Sequence, residues 1–125
     1  MVQFKALGQP TTAPSKELET FPTPEAVTHI RFDCHELTSF CPVTGQPDFS
    51  RVVIEYGPKE RCIESKSLKL YLWSFREEPL FGEQLASQIS ADIFAATQPH
   101  WVKVELIQNI RGGMQLSAVA ERRHD

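Results

Sequence analysis

The chain has 125 residues, of which 41% are apolar and 23% charged, and its formal net charge is −3. A chain of this length normally makes one domain, and this composition is typical of globular rather than disordered or fibrous proteins. No apolar run approaches the roughly 20 residues that a bilayer crossing needs, and the acidic excess excludes a bulk positive field for nucleic acid.

The first region, residues 1–26, contains four prolines among threonine, serine and charged residues. Such a composition cannot build a core, so we expect a flexible arm followed by a single domain over residues 27–125. Residues 27–33 alternate between apolar and polar side chains, which predicts a strand. A long irregular loop from about residue 34 to residue 50 then leads to a second strand at 51–56.

From Ser65 onward the pattern is that of helices. Ser65 and Ser67 offer N-cap hydroxyls before an apolar run that contains no glycine until Gly82, which predicts a largely buried helix. Past Pro79, apolar residues recur at spacings of three and four, which predicts a second, amphipathic helix. Pro99 ends it.

Two more strands complete the chain. Residues 102–106 alternate, the glycines at 112 and 113 suit a hairpin turn, and residues 114–122 return as the last strand. The order ββααββ predicts a small α+β domain. Because its sheet edges must be paired or covered, an oligomer that joins the edges is favoured.

The predicted loop between the first two strands is dense in Cys, Pro, Gly and Asp. Pro42 and Pro47 stiffen it and Gly45 permits a sharp turn, so Cys41 and Asp48 can be held at a fixed separation. One interpretation is a nucleophile beside a proton donor, with the first helix start and two nearby lysines lowering the pKa of the thiol. The alternative is a buried filler and a turn residue.

The start of the first predicted helix is the second unusual segment. Hydroxyls, free backbone N–H groups, Lys66 and Lys69 surround it, which is one way to hold a phosphate; an ordinary capped helix is the alternative. Glu64 and Glu83 lie at the beginnings of the two helices. There a carboxylate can accept the paired N–H donors of a guanine-like edge, or compensate a helix dipole.

Other patterns are missing from the sequence. The three cysteines, Cys34, Cys41 and Cys62, form no C-x-x-C pair, and no H-x-x-x-H pair exists, so we expect no metal site. An odd number of cysteines without an export signal favours reduced thiols in a cytoplasm. Since no G-x-G-x-x-G is present, a nucleotide cofactor would lie on a surface or between subunits.

These residues resemble a known family, the NADPH-dependent 7-cyano-7-deazaguanine reductases of queuosine biosynthesis, in their short single-domain form. Residues 38–49, Thr-Ser-Phe-Cys-Pro-Val-Thr-Gly-Gln-Pro-Asp-Phe, resemble its nucleophile loop, and residues 64–71 resemble its cofactor signature. The resemblance covers about residues 27–122. It implies a tunnelling fold, in which an antiparallel sheet with two helices on one face assembles into an oligomeric barrel with active sites between subunits.

The resemblance also implies a reaction. The thiolate of Cys41 would add to the nitrile carbon to give a covalent thioimide, and the acid at Asp48 would supply protons. Hydrides from two NADPH molecules would then give the aminomethyl product. The implied substrate-binding residues are Ile63, Glu64, Ser65, Gly82 and Glu83, and the implied cofactor-binding residues are Ser65, Lys66, Ser67 and Lys69.

Position 82 departs from the family pattern, in which a histidine usually precedes the base-recognising glutamate at the position of Glu83. Gly82 offers no side-chain hydrogen bond, so a contact with the substrate is lost, replaced from elsewhere, or made by backbone and water. The sequence also leaves open which cationic side chain binds the 2′-phosphate of NADPH. The candidates are Lys59, Arg61, Lys66, Lys69 and Arg76.

Two other functions stay open. One is a related amidotransferase-type enzyme, which captures the nitrile on tRNA with the same cysteine and adds ammonia. Its known members lack the cofactor segment that is intact here. The other is a non-catalytic purine-binding subunit that kept the fold. We expect a homo-oligomer that takes a small-molecule substrate and has no direct contact with nucleic acid or membrane.

Overall fold

The computed structural model describes residues 13–125. Its main sheet has four antiparallel strands in the order β2-β3-β5-β6, and a second sheet pairs β1 with β4. The strands are β1 (Thr20–Pro22), β2 (Ile30–Phe40), β3 (Pro47–Gly57), β4 (Arg61–Ile63), β5 (Trp101–Gln108) and β6 (Ser117–Arg123). The helices are α1 (Ser65–Trp73) and α2 (Gly82–Thr97), and neither is long and apolar enough to cross a membrane.

The core lies between one face of the main sheet and the two helices. Alternate residues of β3 and β5 point to this face and are opposite each other, Ile54 facing Val104 and Tyr56 facing Val102. The apolar stripes of both helices cover them, as the spacing of three and four predicts. The predicted α+β order, with two helices on one face of an antiparallel sheet, is confirmed.

The end of the predicted arm belongs to the folded unit. β1 pairs with β4, with Thr20 opposite Ile63, and Leu18 packs against the core. Only three residues long, β1 is too short to show the alternation by which a strand is recognised. It forms because β4 offers it a free edge. The arm prediction for residues 1–12 lies outside the described residues.

The prediction of a long irregular loop between the first two strands is wrong. β2 continues to Phe40 and β3 begins at Pro47, so only residues 41–46 connect them. A register shift between Cys34 and Leu37 interrupts the alternation of β2, which is why the pattern ended early. Pro47 is tolerated because it opens its strand.

The other face of the main sheet carries charges. The Arg51 guanidinium donates to both carboxylate oxygens of Asp33, at 2.8 and 2.7 Å, and this pair lowers the pKa of Asp33 to about 2. Arg31 lies between Asp33 and Glu55 on the same face. The main sheet is therefore apolar on the helix side and polar on the other, and β2 and β6 are its edges.

Candidate active site

The turn between β2 and β3 holds Cys41. Its backbone N–H donates to the Gln46 carbonyl at 2.9 Å, and its carbonyl accepts from the Gly45 N–H at 2.9 Å. Gly45 has φ +70°, a conformation that side-chain-bearing residues rarely adopt. The turn is thus closed by backbone hydrogen bonds, and the fixed geometry expected of this segment is present.

The three described thiols differ. The pKa of Cys41 is lowered, chiefly because the Thr44 hydroxyl hydrogen-bonds to its sulfur, and also because the backbone N–H groups of Thr44 and Val43 do so. Burial raises the pKa of Cys34, and the Asp33 charge adds to this effect. Cys62 is buried, with its sulfur 3.4 Å from the Thr23 hydroxyl. Cys41 is the thiol whose surroundings favour the thiolate.

Within one chain, this stabilisation does not come from the predicted source. The prediction assigned it to the start of α1 with Lys66 and Lys69, whereas the donors belong to the turn that carries Cys41. Lys69 instead acts on Cys34, whose pKa it lowers in opposition to burial. The turn provides its own donors because Thr44 lies three residues after the cysteine, within reach of its sulfur.

Asp48 lies across the same hairpin. It pairs in register with Ser39, and its side chain is 7% exposed. The Arg111 guanidinium donates through Nη1 to Asp48 Oδ1 and through Nη2 to Gln46 Oε1, the latter at 2.9 Å. Arg111 therefore ties the carboxylate and the turn of Cys41 together.

Two buried hydroxyls lie beside Asp48. Ser39 is opposite it on β2 and Ser50 is two residues further along β3, so both point to the same face of the sheet as Asp48. Their Oγ atoms are buried and have no hydrogen-bond partner among the described residues. Buried polar groups are nearly always paired, so this cluster is suited to receive polar groups of a ligand or water.

The start of α2 lies at this end of the sheet too. Phe40 N–H donates to the Glu78 carbonyl at 2.9 Å and its carbonyl accepts from Leu80 N–H at 3.1 Å, so the segment before α2 runs beside the strand that leads to Cys41. Gly82 is buried and Glu83 is exposed. The structure thus brings the predicted residues Cys41, Asp48, Gly82 and Glu83 to one end of the fold.

The start of α1 is organised as a helix cap. The Glu64 carboxylate, 4% exposed, accepts from the backbone N–H groups of Lys66 and Ser67, both at 2.8 Å. The Ser67 hydroxyl donates to the Glu64 carbonyl at 2.8 Å and accepts from Glu19 N–H at 3.0 Å. The predicted serine N-cap is therefore wrong, because Glu64 occupies that position. Ser65 is exposed.

This cap lies far from Cys41. Ile63 N–H donates to the Tyr56 hydroxyl at 2.9 Å, so Ile63, Glu64 and Ser65 lie near the Tyr56 end of β3. Asp48 is the second residue of that strand, and at a rise of roughly 3.3 Å per residue Asp48 and Tyr56 are about 26 Å apart. One chain does not bring the two groups of predicted residues together.

Lys69 lines a groove of about 1170 Å³ between α1 and the bulged part of β2. Trp73 and Arg76 line it with Lys69, and Trp73 is 37% exposed. The groove extends to residues that flank Cys41 and Asp48, namely Phe40, Pro47 and Phe49. Of the predicted cofactor residues, Lys69 is thus the one that faces an opening leading toward Cys41.

Sequence reasoning missed Thr44 and Arg111. The glycines that follow Arg111 were predicted to form a hairpin turn, which the structure confirms, with φ +59° at Gly112 and +77° at Gly113. The sequence did contain a signal for Arg111, because antiparallel pairing of β3 with β5 places the start of β3 beside the end of β5. An arginine soon after β5 therefore lies near Asp48.

Comparison with known proteins identifies the family. A family model described as QueF-like protein matches residues 47–125. An NADPH-dependent 7-cyano-7-deazaguanine reductase of Alkalilimnicola ehrlichii is 47% identical over 117 residues, covering 90% of this chain and 89% of the relative. One of the same name from Halorhodospira halophila is 49% identical, covering 89% and 96%.

A solved structure supports the tunnelling fold. It is the apo form of an archaeosine synthase QueF-Like, which matches with a TM-score of 0.71 and 26% identity and covers 75% of this chain and 92% of the other. The family model and the curated relatives agree with it, and the relatives cover nearly the whole of this chain. The chain belongs to the family of NADPH-dependent 7-cyano-7-deazaguanine reductases.

Proposed function

We propose that this protein reduces the nitrile of 7-cyano-7-deazaguanine to the aminomethyl group, with NADPH as reductant, in queuosine biosynthesis. The names of its curated relatives support the substrate and the cofactor. The observation that carries the chemistry is the pairing of Cys41, a thiol of lowered pKa, with the buried carboxyl of Asp48 across one hairpin.

The first step is covalent capture. The Cys41 sulfur forms a bond to the nitrile carbon, one C–N π bond breaks, and the nitrogen takes up a proton, which gives a thioimide. Donors from Thr44 and Val43 favour the thiolate that this step consumes. A nitrile is a weak electrophile, and this capture turns it into an imine-like centre that a hydride can attack.

Reduction of the thioimide needs two hydrides, and NADPH supplies them when it is bound. One hydride would add to the thioimide carbon, after which the C–S bond would break to return the Cys41 thiolate and leave an imine. A second hydride and a further proton would complete the amine, so the whole conversion would take up two hydrides and two protons. Asp48 is the group that delivers protons to the nitrogen, and Arg111 holds its carboxyl in place.

The groove beside α1 fits a phosphorylated nucleotide cofactor. Lys69 and Arg76 can bind phosphate, and the exposed face of Trp73 can stack on a base. Arg61, another candidate for the 2′-phosphate, already donates to Thr20 Oγ1 at 3.0 Å and to the Thr20 carbonyl at 2.9 Å. Because Lys69 and Arg76 are the candidates that line this groove, we assign phosphate binding there to these two residues.

A complete site needs a second copy of the chain. Ile63, Glu64, Ser65 and Lys66 of one copy can reach Cys41 of another if the free edges of β2 and β6 pair between copies. Within this arrangement Glu83, which is exposed in the first turn of α2, is the carboxylate that accepts the N–H donors of the base. The carboxylate oxygens of Glu64 are already occupied by backbone N–H groups.

The experiment is an assay of purified protein with NADPH, with and without 7-cyano-7-deazaguanine. We expect the near-ultraviolet absorbance of NADPH to fall only when the nitrile is present, with the aminomethyl product seen by mass spectrometry. Ammonia-dependent product without NADPH loss would favour the amidotransferase alternative. The structural similarity to an archaeosine synthase is the reason to test for it. Tight binding of the base with neither reaction would favour a non-catalytic subunit.

A further inference from the structure

The side chain of Gln108 occupies the space beside Gly82. A Cβ atom built on Gly82 would lie 3.1 Å from Gln108 Nε2 and 3.2 Å from Gln108 Cδ, and 2.8 Å from Leu116 Cδ2. These distances are shorter than ordinary van der Waals contacts. The absence of a side chain at position 82 is therefore what allows the Gln108 carboxamide to rest against the first turn of α2, next to Glu83.

Strand pairing connects Gln108 to the reacting end of the fold. Gln108 on β5 is directly opposite Ser50 on β3, so the two side chains point to the same face, as do the side chains of Asp48 and Ser50. Asp48 is thus the diagonal neighbour of Gln108, and the Cα atoms of such a pair are about 7–8 Å apart. A bicyclic base held near Cys41 can reach the Gln108 carboxamide.

The polar groups around Gln108 have free hydrogen-bonding capacity. Ser50 Oγ is buried without a partner among the described residues. The Gln108 side chain is half-buried and, within residues 13–125, donates and accepts no side-chain hydrogen bond, although its backbone N–H donates to the Leu116 carbonyl at 2.9 Å. A half-buried carboxamide that makes no hydrogen bond within the fold can be hydrogen-bonded by water, and a ligand of matching pattern can replace that water and bind selectively.

We propose that Gln108 is a specificity residue for the base, its carboxamide donating from Nε2 to the ring carbonyl of the deazaguanine. Glu83 accepts the neighbouring N–H donors of the same edge. The glutamine thus binds the acceptor of the base and the carboxylate binds its donors. This assignment rests on the proposed reductase function. It makes Gly82 a permissive position, at which the missing side chain leaves room for Gln108.

The test compares Gln108→Met with the wild-type enzyme. Methionine keeps the length and the packing against Gly82 and Leu116 but removes both hydrogen-bonding groups. We expect the KM for 7-cyano-7-deazaguanine to rise about 5- to 10-fold, the loss of one hydrogen bond, while kcat and the KM for NADPH change less than about twofold. Gln115→Met, the same exchange at an exposed position on the neighbouring turn, is the matched control and should leave all three unchanged.

A second variant keeps the test decisive if Gln108→Met does not fold. Gly82→Ala retains Gln108 but places a Cβ 3.1 Å from its Nε2, which displaces the carboxamide, so we expect the same selective rise in substrate KM. An unchanged substrate KM in the folded Gln108→Met enzyme, or in Gly82→Ala if only that variant folds, would overturn the assignment of Gln108 and leave the reductase function standing. A wild-type enzyme without nitrile-dependent NADPH oxidation would instead overturn the proposed function itself.

Discussion

The two ends of β3 use similar residues in different ways. At the Tyr56 end, the carboxylate of Glu64, the hydroxyl of Ser67 and the hydroxyl of Tyr56 are all engaged with backbone groups. At the Asp48 end, Ser39 and Ser50 have buried hydroxyls without partners, and Cys41 is a thiol of lowered pKa. One end satisfies its polar groups within the fold, and the other does not.

This difference separates residues that stabilise the fold from residues that are available for chemistry. Folding normally pairs buried polar groups, so an end where they stay unpaired has been shaped by something other than stability. The Tyr56 end still presents Ser65, whose side chain is exposed while Glu64 is the acceptor that caps α1. Substitutions at the two ends should therefore give different results.

The largest effect is expected for Cys41→Ala. Removal of the nucleophile should lower nitrile-dependent NADPH oxidation by on the order of 10⁴-fold or more. The melting temperature should barely change, because Cys41 is only partly buried in a surface turn. Mass spectrometry of protein incubated with the nitrile alone should show an adduct on Cys41 that this variant lacks. An adduct that disappears in Cys34→Ala instead would refute the assignment.

Asp48→Asn should have the next largest effect. The amide keeps the size of the carboxyl but cannot deliver a proton, so turnover should fall by roughly 10²- to 10⁴-fold. The adduct on Cys41 should still form, since Asp48 is not the nucleophile, but more slowly than in the wild type, because the nitrile nitrogen must then take its proton from water. Single-turnover kinetics and intact-protein mass measured on the same sample check both points. A normal rate in Asp48→Asn would remove it from the mechanism.

The layout of the domain was predictable because it depends on local patterns. Strand alternation, helical spacing and the breaks at Pro99 and Gly112 predict the order ββααββ, whereas the placement of both helices on one face was implied by the family resemblance. The missing parts depend on non-local contacts. β1 exists only because β4 offers an edge, and the bulge between Cys34 and Leu37 hides the continuation of β2.

The residue types of the candidate site could be predicted from the sequence, but their arrangement in space could not. Cys41 and Asp48 stand out by composition, and their placement across one hairpin agrees with that interpretation. The role of Glu64 could not be chosen from sequence, since a carboxylate at a helix start can cap it or bind a base equally well. Gln108 carried no signal, because its significance comes from the contact with Gly82.

Glu64→Ala should mainly reduce stability. It removes the side-chain acceptor for the N–H groups of Lys66 and Ser67, which should lower the free energy of unfolding by about 1–2 kcal/mol. Glu83→Ala, at an exposed position in the first turn of α2, should change it much less. Urea denaturation followed by circular dichroism measures both. Equal losses in the two variants would contradict the contrast between the two ends of β3.

The smallest predicted effect concerns the pKa of Cys41. Thr44→Val removes the hydroxyl that contributes most to lowering this pKa, while the backbone donors of Val43 and Thr44 remain. Because only the thiolate is alkylated, the pH profile of Cys41 alkylation by iodoacetamide should move toward higher pH in Thr44→Val. Thr44→Ser restores a hydroxyl and should bring the profile back, whereas Thr28→Val, at an exposed position before β2, should not move it. A profile that is identical in Thr44→Val and the wild type would mean that the Thr44 hydroxyl does not stabilise the thiolate, and the backbone N–H groups of Thr44 and Val43 would then be the donors of this turn that lower the pKa of Cys41.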